Sequence, residues 1–431
     1  MKKITNLEEI LKFGTILFFP LRDILGFYIG ESPIRLGELW AAFYIIILFY
    51  RGKLKNGEIF IVLFLCLNLL LVFVGNVFNV GNIDQGFSTK YILRNILNIL
   101  FIIGFLCSKI DYSADDITRI IKYTFYIEMV MFVLLYATHH GMYIGHVYGW
   151  DSILATGQVV NIGGLIIPRF SGTSSEPGYL TALLPMILYF FIVNPIKKHR
   201  LYLMGTGIMI LFTFSSAVYF ATFMVVVYLL VVNKKIPYKY LAGIIAILII
   251  GLLVYLVNGN IRSMLDDMVI NKIFSFFNGD KSNYSATERI LQMINAYNLF
   301  LNGDLIKQII GWGTGGYLYN TLHYGIGLYS YDVEEAYNLY LSTLVDRGMV
   351  GLVLLMCFFK YLSTKRIKHD IYSNTIFVAI LIQMCHWMIT GNLWQYYFWA
   401  EVVILIGYNR FYRRKKVVRQ TNRSDLTHII E

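Results

Sequence analysis

Apolar stretches, most of them long enough to form a helix across a bilayer, follow one another along this chain with only short polar connections between most of them. A helix needs about 20 residues at a rise of 1.5 Å to cross the hydrocarbon core. Inside that core a backbone must satisfy its own hydrogen bonds, which confines such stretches to helices or closed barrels. Read with a window of about nineteen residues, the chain has spans at 12–29, 36–50, 58–75, 90–107, 117–138, 178–193, 240–257, 341–359, 374–390 and 393–409. The run 201–232 is too long for one crossing, and Lys197, Lys198 and Arg200 precede it while Lys234, Lys235 and Lys239 follow it. Both flanks belong on the cytoplasmic side, so the run crosses twice and turns near Ser215 and Ser216. The expectation is an all-α polytopic membrane protein of about twelve transmembrane helices with both termini cytoplasmic.

Composition agrees, since 57% of the residues are hydrophobic and 15% charged, far more apolar than a soluble domain requires. The net charge of +11 is gathered in the connections and the tail, from Arg51, Lys53 and Lys55 to Arg410, Arg413, Arg414, Lys415 and Lys416. That distribution is a topology signal and excludes a nucleic-acid footprint. The tail also fits a surface attracted to anionic membrane lipid. Cys66, Cys107, Cys357 and Cys385 all fall in spans, without metal spacing and without the layout of a disulfide framework. The opening Met1-Lys2-Lys3 leads to an apolar segment with no small-residue cleavage site, so the first span is expected to be retained.

The chain is read as one integral membrane domain, 1–431, carrying a large extracytoplasmic loop at 258–339 and a shorter one at 139–176. Polar loops held by packed spans are where function concentrates. The shorter loop ends in Arg169-Phe170-Ser171-Gly172-Thr173-Ser174-Ser175-Glu176-Pro177-Gly178-Tyr179, in which Pro177 suits a first helical turn with Ser175 or Glu176 as its cap. A helix N-terminus beside Arg169 would hold an anion such as a diphosphate, or Arg169 would simply pair with Glu176. In the large loop, Gly311-Trp312-Gly313-Thr314-Gly315-Gly316 spells a dinucleotide fingerprint but lacks the strand–turn–helix setting that gives it meaning. A turn allowing close backbone approach to a ligand or a neighbouring helix fits better. Arg94, near the outer end of its span, and Arg22 with Asp23 in the first span are costly at such depth unless paired or wetted. His139, His140 and His146 have no carboxylate at ligand spacing, so no metal site is expected.

The segments RFSGTSSEPGY, an arginine-bearing segment followed by GWGTGG, and AYNLYLSTLVDRGMVG together resemble the Wzy polysaccharide polymerases of the O-antigen ligase and polymerase superfamily. Where that superfamily has a His-Asn-x-Tyr-Leu-like segment, this chain has Tyr337-Asn338-Leu339-Tyr340-Leu341, with Tyr337 in place of the histidine. The resemblance implies a GT-C-like fold and an inverting, metal-independent glycosyltransferase with no cofactor, working at the outer face of the bacterial cytoplasmic membrane. It implies undecaprenyl-diphosphate-linked glycan as donor and acceptor, with membrane lipid and a chain-length regulator protein as further partners. Arg169 and Arg289, with Arg94, would stabilise the departing diphosphate. Glu335, Glu334, Glu176 and His323 are the outer-side groups able to take the acceptor proton, and Glu335 is the expected base. Glu176, His323, Tyr337 and Asn338 are the expected substrate-binding residues beside Arg94. Ligase activity on another acceptor and repeat-unit flipping are the alternatives; the long loop speaks against a flippase.

Overall fold

A computed structural model describes residues 2–21, 27–29, 32–34, 36–51, 54, 58–108, 110–137, 159–162, 165–174, 177–233, 259, 284–324, 336–389 and 396–427. Fourteen α-helices occur among them. They are α1 Lys2–Phe18, α2 Leu36–Arg51, α3 Ile59–Phe78, α4 Gln85–Ser108, α5 Ala114–Ala137, α6 Leu183–Val193 and α7 His199–Phe212. The remainder are α8 Ser216–Tyr228, α9 Tyr284–Leu301, α10 Leu305–Ile310, α11 Gly316–Tyr324, α12 Leu339–Lys365, α13 Ile371–His386 and α14 Tyr396–Thr427. Of these, α3, α4, α5 and α12 are long and apolar enough to cross a membrane, and four further apolar helices are shorter.

Some helix starts fall where the sequence supplies caps. Ser113 and Asp116 close a reciprocal box ahead of α5, the Ser113 N–H donating to Asp116 Oδ2 at 2.7 Å and the Asp116 N–H to Ser113 Oγ at 3.2 Å. Asp116 also receives Lys12 Nζ at 2.5 Å, which ties α1 to the start of α5. Asp370 caps α13 by accepting from the Ser373 N–H at 2.8 Å. The 201–232 run breaks at Thr213–Ser215 between α7 and α8, where the doubled crossing requires its turn. Phe214 holds a positive φ of 45° there.

Two departures from the expected spans have local causes. The first helix stops at Phe18 instead of continuing to residue 29, because Pro20 disfavours helical backbone at the residue before it. Beyond it, β1 Phe27–Ile29 pairs antiparallel with β2 Ser32–Ile34. Within the shorter loop, β3 Val159–Ile162 pairs with β4 Leu165–Pro168, two β-rich runs separated in sequence by Gly163 and Gly164. Among the described residues the protein is therefore helical with two small hairpins, a departure from the all-α expectation. The expected span 240–257, and Arg22 with Asp23, lie outside the described residues.

Helix α14 lies deep in the core: every residue from Phe398 to Ile406 is buried, the Glu401 carboxylate included. Phe64 of α3 stacks on Phe358 of α12 with centroids 4.1 Å apart. Gly104 of α4 lies against the Tyr44 backbone of α2, an approach that a side chain at that position would block.

Candidate active site

The two glycine-containing motifs form one joint. Helix α12 is bent at Gly348, whose φ of 63° and ψ of −165° lie outside the helical range. A bend frees carbonyls from the helical ladder, and inside an apolar bundle they need new donors. The Trp312 N–H donates to the Val345 carbonyl at 2.7 Å and the Gly313 N–H to the Asp346 carbonyl at 3.0 Å. The strap 311–315, with Gly311, Gly313 and Gly315 at positive φ, thus threads between α12 and the end of α3. Its other side is held by Ser88 Oγ and Thr314 Oγ1 at 3.0 Å, and by the Asp84 N–H donating to the Gly315 carbonyl at 3.2 Å. The glycine stretch serves close helix approach, as the sequence reading preferred over a nucleotide site.

Gly313 has a φ of 81°, and a Cβ there would come within 2.7 Å of the Asn76 backbone nitrogen and 2.8 Å of the Gly75 carbonyl carbon. Gly313→Ala combines overpacking against backbone with a left-handed conformation, and should cost about 2–4 kcal/mol. A thermal melt of the purified variant measures this; an unchanged melting temperature would show that the strap is slack.

Above the joint, α9 carries a buried stripe of Gln292, Asn295, Ala296 and Leu299 at helical spacing. Half-buried Arg289 lies one turn before Gln292, with its guanidinium 5.4 Å from the centre of the Tyr337 ring. This is cation–π distance. Tyr317 of α11 donates its hydroxyl to the side chain and backbone carbonyls of Gln292. Burial, reinforced by neighbouring Tyr337, pushes the Tyr317 hydroxyl above its usual pKa, so it stays a neutral donor. Arg289, Tyr337, Tyr317 and Gln292 therefore form one cluster where α9, α11 and the start of α12 converge. Asn338 is the N-cap of α12, accepting from the Tyr340 and Leu341 N–H groups at 2.9 and 3.0 Å. Its amide donates to the Met388 carbonyl at 2.8 Å, which fixes Tyr337 relative to α13.

Arg169 is anchored at the end of α7. Its Nε donates at 3.3 Å to the carbonyl of Thr213, the C-cap of α7, where a cation is favoured by the helix dipole. The following turn is clamped by Glu128, a fully buried carboxylate on α5 that accepts from the Thr173 N–H at 3.2 Å and its hydroxyl at 2.6 Å. Gly172, at a φ of 58°, makes room for that carboxylate. Pro177 opens a 3-10 turn, Pro177–Thr181, in the first-turn role its sequence position suggested.

Arg94 is half-buried on α4 with no polar partner among the described residues. His323 belongs to α11. Glu176, Glu334 and Glu335, together with His139, His140 and His146, lie outside the described residues.

Sequence reasoning missed several buried charged residues, among them Glu128, Arg347 and Glu401. Glu128 sits mid-span, and Arg347 on α12 is 1% exposed, its guanidinium donating to the Tyr91 hydroxyl and lying 5.5 Å from that ring. Glu128 was a lone charge in mid-span and Arg347 stands beside Asp346 near the start of its span, placements that mark intramembrane functional or structural residues.

A search of curated proteins found no match to the chain. The family model described as O-antigen ligase, Wzy_C, matches residues 201–356, a stretch that holds the α7–α8 turn, Arg289, the glycine strap, Tyr337 and the bend of α12. Residues 201–356 thus match a Wzy_C domain, a family whose members are glycosyl-transferring enzymes, within a chain that carries several helices apolar enough for a membrane.

Proposed function

We propose that this protein polymerises undecaprenyl-diphosphate-linked oligosaccharide repeat units into O-antigen or capsular polysaccharide at the outer face of the cytoplasmic membrane. The observation that carries the reading is the stacking of Arg289 on Tyr337 within the Wzy_C region. In the resemblance described above, a histidine occupies the Tyr337 position in ligase-type relatives. A tyrosine held under an arginine is a poor proton acceptor at neutral pH and leaves that guanidinium edge for a phosphate. Basic flanks put both termini and the Lys197, Lys234 and Lys365 connections in the cytoplasm, with the loops 139–176 and 258–339 outside.

In this mechanism an acceptor hydroxyl attacks the anomeric carbon of the donor from the face opposite the diphosphate. The new glycosidic bond forms as the bond to diphosphate oxygen breaks, and the electron pair leaves with the diphosphate. Arg169 and Arg289 neutralise its growing charge. Glu335 takes the hydroxyl proton. Ligase activity is the second reading, favoured by the description of the matching family model.

Deletion of the gene separates the possibilities on a gel of surface polysaccharide. A product one repeat long is expected for a polymerase. Loss of lipid-attached glycan would instead identify a ligase, and loss of all outward-facing repeats a flippase. Within the polymerase reading, Arg289→Lys retains charge but loses the planar fork and ring stacking. Chain extension should fall by about 10- to 100-fold, as when a transition-state donor is weakened. Wild-type polymer length at normal protein levels would remove Arg289 from the reaction.

A further inference from the structure

A second charged site lies where the ends of α3, α4 and α12 meet α14. It is a cavity of about 250 Å³ lined by Glu58, Lys365, Ile406, Asn409, Arg410, Arg413 and Arg414. Arg410 is 7% exposed, and it donates from Nε to Glu58 Oε1 at 2.7 Å, with Nη2 reaching Glu58 Oε2 and the Leu106 carbonyl. Its remaining nitrogen, Nη1, is buried and has no hydrogen-bond partner among the described residues. Arg414 pairs with Asp111, and Asn409 donates to the Lys365 carbonyl at 2.6 Å. Arg413 is exposed and forms no ion pair among the described residues. Four cations thus surround the single lining carboxylate, Glu58, and that carboxylate is already committed to Arg410. A buried guanidinium edge with an unused donor, in a cavity well above the size of one water, is a built anion site.

We propose that this cavity binds a phosphate group, and that the group belongs to the headgroup of an anionic phospholipid. A phosphate offers several acceptor oxygens at once and can engage Arg410 Nη1, Lys365 and Arg413 together. The lipid source follows from position. The cavity sits at the start of α3 and at the ends of α4 and α12, three helices long and apolar enough to cross a membrane, so it lies at headgroup depth. This site owes nothing to the glycosyl-transfer reading and stands or falls separately from it.

The full-length protein, purified in detergent and titrated with phosphatidylglycerol, should retain one lipid in native mass spectrometry. Phosphatidylcholine, which is zwitterionic, should be retained far less. Lys365→Gln with Arg413→Gln should lower phosphatidylglycerol retention about 10- to 30-fold. Lys415→Gln with Lys416→Gln, exposed on the same helix but outside the cavity, should leave it unchanged. Should the first double variant melt early without lipid, Arg413→Gln alone decides, because that side chain is exposed. Equal retention by the cavity variants and wild type, or equal retention of both lipids, would overturn the proposal. Stabilisation by millimolar inorganic phosphate, with no phosphatidylglycerol retained, would overturn the lipid source and assign the site to free phosphate.

Discussion

Arg347→Ala is expected to destabilise the protein by about 3–5 kcal/mol, the range for truncating a large, fully buried side chain. The side chain is 1% exposed and holds two neighbours, donating to the Tyr91 hydroxyl on α4 and to Thr343 Oγ1 at 3.5 Å. Its stem also fills the space over Gly351, where a side chain would collide with the Arg347 Cβ. Truncation therefore removes packing, a hydrogen bond and a cation–π contact at the same bend of α12. Tyr91→Phe keeps the ring and removes only the hydroxyl, so its cost should be nearer 1 kcal/mol. Thermal melts of both purified variants, with the amount of folded protein recovered from membranes, measure the difference. If Arg347→Ala melts with wild type, the buried guanidinium contributes nothing to stability.

Glu335→Gln should abolish chain extension while repeat units still reach the outer face on their lipid carrier. The change preserves shape and hydrogen bonding but removes the proton acceptor, which is worth about 10²- to 10⁴-fold in general base catalysis. Glu335 lies two residues before Tyr337, whose ring is under Arg289, and three before the cap of α12. Glu176 immediately precedes Pro177 and lies near Arg169 in sequence, neighbours that favour its ionised form and make it the weaker candidate base. The discriminating comparison runs Glu335→Gln beside Glu176→Gln and His323→Ala, scoring polymer length and surface-exposed single repeats. Normal polymer from Glu335→Gln, with either of the others inactive, moves the base to that residue.

Hydropathy made much of the fold legible. The ends of α2 to α5, the break at Thr213–Ser215 and the start of α12 fall within a few residues of the expected spans. It failed where the decisive residue was single. A nineteen-residue average carries straight through Pro20, which stops α1, and it absorbs Glu128 and Arg347 into apolar means although each organises its surroundings. The hairpin β3–β4 escaped because four-residue strands offer too few alternations for periodicity to register. At the site, Arg289 and Tyr337 were singled out separately, but their stacking depends on the packing of α9 against the start of α12, a tertiary fact with no sequence period.

The bend at Gly348 has a consequence for exchanging parts between relatives. The Val345 and Asp346 carbonyls and the Trp312 and Gly313 amides are separated by more than thirty positions, yet they close a single joint. A chimaera that imports a foreign loop with its own 311–316 equivalent, while keeping the native 345–348, pairs two halves shaped for different counterparts. Donor and recipient segments must travel as one cassette, with the seam placed after Gly348, if the hybrid is to insert and fold.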